Sequence, residues 1–426
     1  MFNLESDVFQ LTPIRGRTDL FYPDLDVNIS KILPTALTLF GKKYPKNKVL
    51  LNNLSEKIGW QKIQESEITN IIFIVLDSLG LRQFMKYSQL LKAKFETNGL
   101  TLSSVFPTIT STCVASLRFG EMPKTHGIVG QKINFAEINN VVDTLTLRAK
   151  RSDVDLSRAG VNVKNWVWCD FPMANDPTIN HLGLIESHIA NSGLSHLVYK
   201  KPCSIGYSSH IDSFAAAKRI LETPTSARRF LDIYVGSIDS ITHRYTTESE
   251  VLKDEVENIE LLLFKMLKRL NPKIAKQTAV IITADHGQEN LTEEKSIIVS
   301  SEEEEELASL IKSRGRSGRV IHLYSKDGKQ DEVADWFANK IGDQGIIVTP
   351  KEYHKFLGKG ANTQEIIERL GDVQVILGEN ASIYFGHSGN YDPIFNLGLN
   401  ATHGSLSKDE LLVPLIVARV DDLLGK

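Results

Sequence analysis

Two short, unbroken apolar runs stand out in the hydrophobic pattern of the chain: IIFIVLD at 71–77 and TAVIITAD at 278–285. Runs this short, rich in β-branched residues and without polar alternation, predict strands buried on both faces. LTLSSVF at 100–106, VNVKNWVWCD at 161–170 and LDIYVGSID at 231–239 predict further strands, and THGSLSKDELLVPLIVAR at 402–419 ends in a last one. Between them the spacing turns helical. Residues 25–41 read as one helix kinked at Pro34; another helix carries Phe84, Met85, Leu90 and Leu91; 111–120 is a short helix closed by Gly120; 214–223 is helical and 248–270 is a long amphipathic helix. Strands alternating with helices predict an α/β fold with a mostly parallel sheet and helices on both faces.

The pattern changes after Asn290. The acidic run Glu302–Glu306 reads as the start of a solvated helix, and RVIHLY, DEVADWFANKIG and GIIVTPKEY in succession read as a β-α-β unit. The expected organisation is a catalytic core over 1–290, a smaller inserted, cap-like α+β domain over 291–398, and a return to the core over 399–426. A length of 426 residues fits two or three domain-sized units.

Charge and cysteine usage narrow the function classes. A net charge of −3 argues against broad, charge-driven binding to a nucleic-acid duplex or an anionic membrane. The three cysteines, Cys113, Cys169 and Cys203, are widely spaced and form no CxxC pair, which speaks against a disulfide framework or zinc ribbon and for a reducing compartment. The first residues are not a basic stretch followed by an apolar one, and the run at 71–76 is far too short to cross a bilayer, so a cytoplasmic protein is expected.

In a parallel sheet, ligands collect beyond the carboxyl ends of the strands. Asp77, Asp239 with His243 four positions on, and the adjacent pair Asp285–His286 all follow predicted strands, and His403 precedes the last one. Each alone reads as a helix cap or an ordinary histidine. Together they form an imidazole and carboxylate set, without thiolate, suited to a pair of divalent metal ions. A nucleophile beside such a pair would come from the turn before the 111–120 helix, where free amides and the helix dipole favour a phosphoryl oxygen. Thr110 is the best placed, but Thr108, Ser111 and Thr112 fill the same description, and an N-cap role explains any of them.

The segment FPTITSTCVASLRFGEMPKTHGIVG at 106–130 resembles the nucleophile segment of the type I phosphodiesterase/nucleotide pyrophosphatase family, part of the alkaline phosphatase superfamily. DSITHRY at 239–245 resembles its D-x-x-G-H-x-Y-G motif, TADHG at 283–287 its T-A-D-H-G motif, and His403–Gly404 its late H-G pair. The resemblance implies an alkaline-phosphatase-like three-layer core and Thr110 as nucleophile. It implies one metal ion on Asp239, His243 and His403, and another on Asp77, Asp285, His286 and the Thr110 oxygen, with zinc the usual ion and manganese or another transition metal permitted. It implies hydrolysis of a small-molecule phosphodiester or phosphoanhydride, nucleotides included, through a phospho-threonine. A phosphomonoesterase or phosphonate hydrolase is the alternative, and a binding module that keeps the metal site without catalysis ranks below both.

Three positions depart from the family pattern: Cys113 stands where relatives carry an asparagine that donates to a phosphoryl oxygen, Ser78 replaces the glycine after the first strand, and Gln131 replaces the asparagine after H-G-I-V-G. A thiol is a weak donor, so Cys113 leaves monoester against diester preference open. Among other residues, His126 reads as structural. Arg118 and Lys124 read as phosphate contacts or as an exposed helix face. His387 reads as a substrate contact or a surface loop, and Trp166, Trp168, Tyr207 and Phe214 as core packing or a stacking surface.

Overall fold

The computed structural model describes residues 10–190, 193–199, 204–386 and 399–425. Its larger sheet has seven strands in the order Gly99–Ser103, Leu412–Arg419, Thr278–Thr283, Asn70–Leu76, Arg228–Val235, Ile179–Glu186 and Ser204–Tyr207. All neighbours run parallel except Leu412–Arg419, which is antiparallel to both of its partners. Asn70–Leu76 and Thr278–Thr283 are buried at every position, and Arg228–Val235 at every position after Arg228. That double-sided burial is why they read as unbroken apolar runs.

Register decides where the chemistry collects. Leu76 lies opposite Val235, and Val75 opposite Thr283. Asp77 and Asp285 therefore leave adjacent central strands at the same level, and the chain toward Asp239 leaves the next strand over.

Three predicted elements differ. The helix expected over 25–41 is shorter, Ile32–Thr38, and follows a 3-10 turn at Ile29–Lys31 capped by the side chain of Asn28. Pro34 falls in its first turn, where a missing N–H costs no helical bond. The helix expected around Phe84 to Leu91 is two, Leu81–Tyr87 and Lys92–Asn98. The break is held by a buried carboxylate: Glu260, from the Glu250–Lys268 helix, accepts the amides of Gln89 and Leu90 at 2.9 Å, that of Leu91 at 3.1 Å, and the Ser88 hydroxyl. The strand expected at 161–170 is instead a 3-10 turn, Val163–Trp166, whose Trp166 packs on Phe135 with ring centroids 4.2 Å apart.

A second seven-stranded sheet, antiparallel throughout, runs in the order Gly345–Val348, Val373–Leu377, Val320–Ser325, Ile311–Ser317, Lys132–Phe135, Asn140–Asp143 and Arg148–Ala149. Val320–Ser325 and Gly345–Val348 are parallel to each other and joined through the Gln330–Ile341 helix, with Val373–Leu377 set between them. Three strands of this sheet precede residue 290. Glu289–Asn290 pairs with Ala401–Thr402 and draws together the two ends of the 291–398 segment. Among the described residues, no helix is long and apolar enough to cross a membrane.

Candidate active site

Asp77 emerges directly after Asn70–Leu76. Its Oδ2 accepts the hydroxyl of Tyr234, and its buried Oδ1 has no hydrogen-bond partner. Asp285 uses Oδ1 to accept the amides of Ser78 at 3.1 Å and His286 at 2.9 Å, while its buried Oδ2 is likewise unpartnered. The Nε2 of His286 lies 3.3 Å from Asp285 Oδ2 and 3.7 Å from Asp77 Oδ1.

A second group forms alongside. The strand Arg228–Val235 ends before Asp239, which sits on the following helix, Ser237–Tyr245, one turn ahead of His243 and on the same face. Asp239 Oδ1 is 3.3 Å from His243 Nε2 and 3.5 Å from His403 Nε2. In each group of three, one ligand atom from each residue lies within 4.8 Å of the others.

The three histidines share one device. Nδ1 faces a backbone carbonyl, that of Ala401 at 2.7 Å for His243, Thr108 at 2.9 Å for His403 and Gly287 at 3.1 Å for His286. Nε2 is thereby turned toward the carboxylates, an arrangement typical of imidazoles that bind metal. The rings of His286 and His403 stack at 3.9 Å and 19°, side by side.

The electrostatics of these residues are strained. Burial, reinforced by repulsion from Asp285 and Asp239, pushes Asp77 well above the carboxylate range, and burial lifts Asp285 to about 6. Burial lowers His286 to about 4 and His403 to about 3. Asp239 goes the other way: burial opposes ionisation, but His243 beside it holds it below the usual range, and Asp239 in turn raises His243 against burial. The unpartnered oxygens of Asp77 and Asp285 beside the neutral imidazole of His286, and the carboxylate of Asp239 between His243 and His403, make donor sets that divalent cations fit.

The four candidate hydroxyls separate clearly. Thr108 Oγ1 donates to the Ser405 carbonyl at 2.7 Å, Ser111 Oγ to the Gly130 carbonyl at 3.2 Å, and Thr112 Oγ1 is buried without a partner. Of the four, Thr110, which opens the Thr110–Phe119 helix, alone places its hydroxyl against the Asp–His cluster, 3.2 Å from His286 Nε2. It is not an N-cap; Ile109 holds that position without a side-chain bond.

Ser78 and Gln288 join the two groups. The Ser78 hydroxyl donates to Asp239 Oδ1 at 3.0 Å and lies 3.2 Å from His286 Nδ1. Gln288 Nε2 donates to Asp239 Oδ1 at 2.6 Å and to Ser78 Oγ at 3.1 Å. Ser78 holds φ at 67°, a left-handed conformation that favours glycine. Tyr234 lies within a predicted strand and Gln288 just after another, and neither carries any further signal in the sequence. Cys113 is fully buried, its Sγ 3.2 Å from Ser104 Oγ and 3.6 Å from the Pro107 carbonyl, and burial pushes its thiol well up.

Asp77, Thr110 and Asp239 line one part of a cavity of about 450 Å³, whose remaining wall includes Val114, Ile185, Leu194 and Tyr199. Arg118 lines it too, but as a buried ion pair with Asp232 at 2.7 Å, not as an exposed helix face. Lys124 bonds the Lys359 carbonyl outside this cavity. His126 is structural: Nδ1 accepts the Ile128 amide and Nε2 meets Ser116 Oγ. Trp168 lies over Arg369, Tyr207 donates to the Tyr234 carbonyl, and Phe214 is core. His387 lies outside the described residues.

Residues 71–405 match the model of the family described as type I phosphodiesterase/nucleotide pyrophosphatase. Among solved structures, the chain is similar to murine ectonucleotide pyrophosphatase/phosphodiesterase 5, at 15% identity and a TM-score of 0.59 over 81% of this chain and 87% of that one. An inactive form of the murine protein in complex with AMP matches at 16% identity and 0.59, over 81% and 87%. Phosphonoacetate hydrolase from Sinorhizobium meliloti 1021, in complex with phosphonoformate, matches at 16% and 0.58, over 82% and 89%. No curated protein matches the chain at a significant level.

Proposed function

Because the chain belongs to the type I phosphodiesterase/nucleotide pyrophosphatase family, and so to the hydrolases of the alkaline phosphatase superfamily, we propose that it cleaves phosphodiester or phosphoanhydride bonds with Thr110 as nucleophile. The observation that carries this reading is the convergence of Asp77, Asp285 and His286 with Asp239, His243 and His403 beside the Thr110 hydroxyl.

Asp77, Asp285, His286 and the Thr110 oxygen would hold one divalent ion, and Asp239, His243 and His403 a second; zinc suits these donors best, with manganese or another transition ion next. When bound, the ions supply charge neutralisation at phosphorus and lower the pKa of a hydroxyl. Thr110 presents its oxygen in line with the scissile bond. The amides of Thr110 and Ser111, at the open end of the Thr110–Phe119 helix, offer donors and the positive helix dipole to the phosphoryl oxygens. The bond from phosphorus to the leaving oxygen breaks as the bond to Thr110 Oγ1 forms, giving a phospho-threonine. Water then cleaves that ester and restores the hydroxyl. Val114, Ile185, Leu194 and Tyr199 receive the organic part of the substrate. AMP and phosphonoformate in the structural neighbours favour small anionic phosphoryl compounds as the substrate class. We place the protein in the cytoplasm on its cysteine usage: the three cysteines are widely spaced and form no CxxC pair, and Cys113 is free.

A phosphomonoesterase or phosphonate hydrolase is the second reading, and it rests on Cys113. Its thiol turns to Ser104 and Pro107, so this position offers a phosphoryl oxygen no side-chain donor. Turnover of bis-p-nitrophenyl phosphate and p-nitrophenyl phosphate with added zinc or manganese separates the two. The expected result is faster diester cleavage, lost by roughly 10³-fold or more in Thr110→Ala. Faster monoester cleavage moves the assignment to the second reading, and full activity in Thr110→Ala refutes the nucleophile.

A further inference from the structure

The helix that opens at Thr110 also brings a buried arginine to the wall of the same cavity, and phosphoryl transfer gives that arginine no task. We propose that Arg118 determines specificity: it reads a neutral carbonyl oxygen at the far end of the substrate's organic group. This rests on the hydrolase reading in one respect, that the phosphoryl group lies at Thr110.

Helical periodicity sets the arrangement. Thr110, Val114 and Arg118 follow at intervals of four along Thr110–Phe119, so they share one face, and all three line the cavity. A rise of about 1.5 Å per residue sets Arg118 about 12 Å along the axis from Thr110. Helical side chains lean back toward the N-terminus, which shortens the gap to the guanidinium. The remaining span suits a nucleoside-sized group attached to phosphorus. Between the two ends the wall is largely apolar, with Val114, Ile185, Leu194 and Val198. A charged organic group would lose its hydration there without a partner.

The far end is fixed in place. Arg118 is 3% exposed, pairs with Asp232 Oδ1 at 2.7 Å and lies 5.4 Å from the Phe73 ring centroid. The Tyr199 hydroxyl, also on the cavity wall, donates to Asp232 Oδ2 at 2.9 Å. Gly183 lies opposite Asp232 on the next strand and makes room for that hydroxyl, since a Cβ there would stand 3.2 Å from it. The guanidinium is held, yet its buried Nε and Nη1 have no acceptor. A buried donor left unsatisfied is costly, and two of them on a side chain that lines the active-site cavity point to a ligand that supplies the oxygen. Asp232 has already balanced the guanidinium charge. A second carboxylate or a phosphate would bring uncompensated negative charge into a buried place, whereas a carbonyl oxygen accepts without adding charge. A flat, weakly polar ring with a carbonyl on its edge, as in an oxo-nucleobase, meets both the apolar wall and the neutral far end.

Inosine and adenosine 5′-monophosphates test this by calorimetry on the full, metal-loaded chain. They share phosphate, sugar and ring system and differ at one ring edge, where inosine carries a carbonyl acceptor and adenosine an amino donor. Wild type should bind the inosine nucleotide roughly tenfold more tightly, the effect of one hydrogen bond to a charged group. Arg118→Met/Asp232→Leu removes the donor together with its counter-ion and should abolish that preference, with the melting temperature reporting that the variant is folded. A wild type without preference, or a preference that survives in the variant, overturns the proposal. Crystals soaked with the inosine nucleotide give a readout that needs no variant: its carbonyl oxygen should lie within hydrogen-bond distance of Arg118, and a carbonyl directed elsewhere overturns the proposal. Both measurements are made without turnover, so failure to hydrolyse any phosphate ester would defeat the Thr110 reading and leave these results standing.

Discussion

Replacing Ser78 by glycine separates backbone strain from site assembly. The left-handed φ of 67° costs a serine about 1–2 kcal/mol that glycine avoids, less the roughly 0.5–1 kcal/mol by which glycine favours the unfolded chain. The lost hydroxyl removes a bond to Asp239 Oδ1 and the contact with His286 Nδ1, about 1–2 kcal/mol net, since Gln288 keeps Asp239 as acceptor. Fold stability in Ser78→Gly should therefore stay within about 1 kcal/mol of wild type, whereas Ser78→Ala keeps the strain, loses the same bonds, and should fall by about 1–2 kcal/mol. Metal affinity should drop in both by about 10–100-fold, because Ser78 orients one ligand of each group. Denaturant unfolding of the metal-free proteins measures the first quantity, and competition against a chromophoric chelator measures the second. A Ser78→Gly protein that binds metal within twofold of wild type would refute the idea that this hydroxyl positions the ligands.

Other perturbations test the scaffold. Glu260→Ala strands the amides of Gln89, Leu90 and Leu91, and should cost about 3 kcal/mol in denaturant melts with kcat unchanged in the metal-loaded protein. Arg118→Met leaves Asp232 buried without its cation and should cost about 3–5 kcal/mol, much of it recovered in Arg118→Met/Asp232→Leu; equal losses in the two would contradict this. Burial holds His126 at about 3, below its unfolded value near 6.5. The unfolded chain thus binds the extra proton, so the stability His126 contributes is full above about pH 6.5 and falls as pH drops below it, by about 2 kcal/mol at pH 5. Unfolding at pH 7.5 and pH 5 should show that penalty in wild type and not in His126→Gln.

The strands that build the site were legible because they are buried on both faces, so that IIFIVL and TAVIIT carry no polar interruption. Ile179–Glu186 was not, because its outer half is partly exposed and broken by Asn180, His181 and Gly183; nor was Ser204–Tyr207, a four-residue edge strand. The strands at 132–149 are short and pair locally with one another, and they join the rest of their sheet only where Lys132 meets Arg316, far along the chain, a pairing that no local pattern encodes. In the site, positions just after the predicted strands pointed to the side chains that cluster, but Asp239 belongs to a helix because the strand stops at Val235. The substitution at Ser78 was visible by resemblance; its bridge between Asp239 and His286 was not, since that depends on three chain segments meeting.

Anomalous diffraction from crystals loaded with zinc or manganese and soaked in phosphate addresses the central assignment most directly. Two peaks are expected, one bounded by Asp77, Asp285 and His286 and one by Asp239, His243 and His403, with the phosphate phosphorus facing Thr110 Oγ1. No peak among these six side chains, or a phosphate bound away from Thr110, would contradict it.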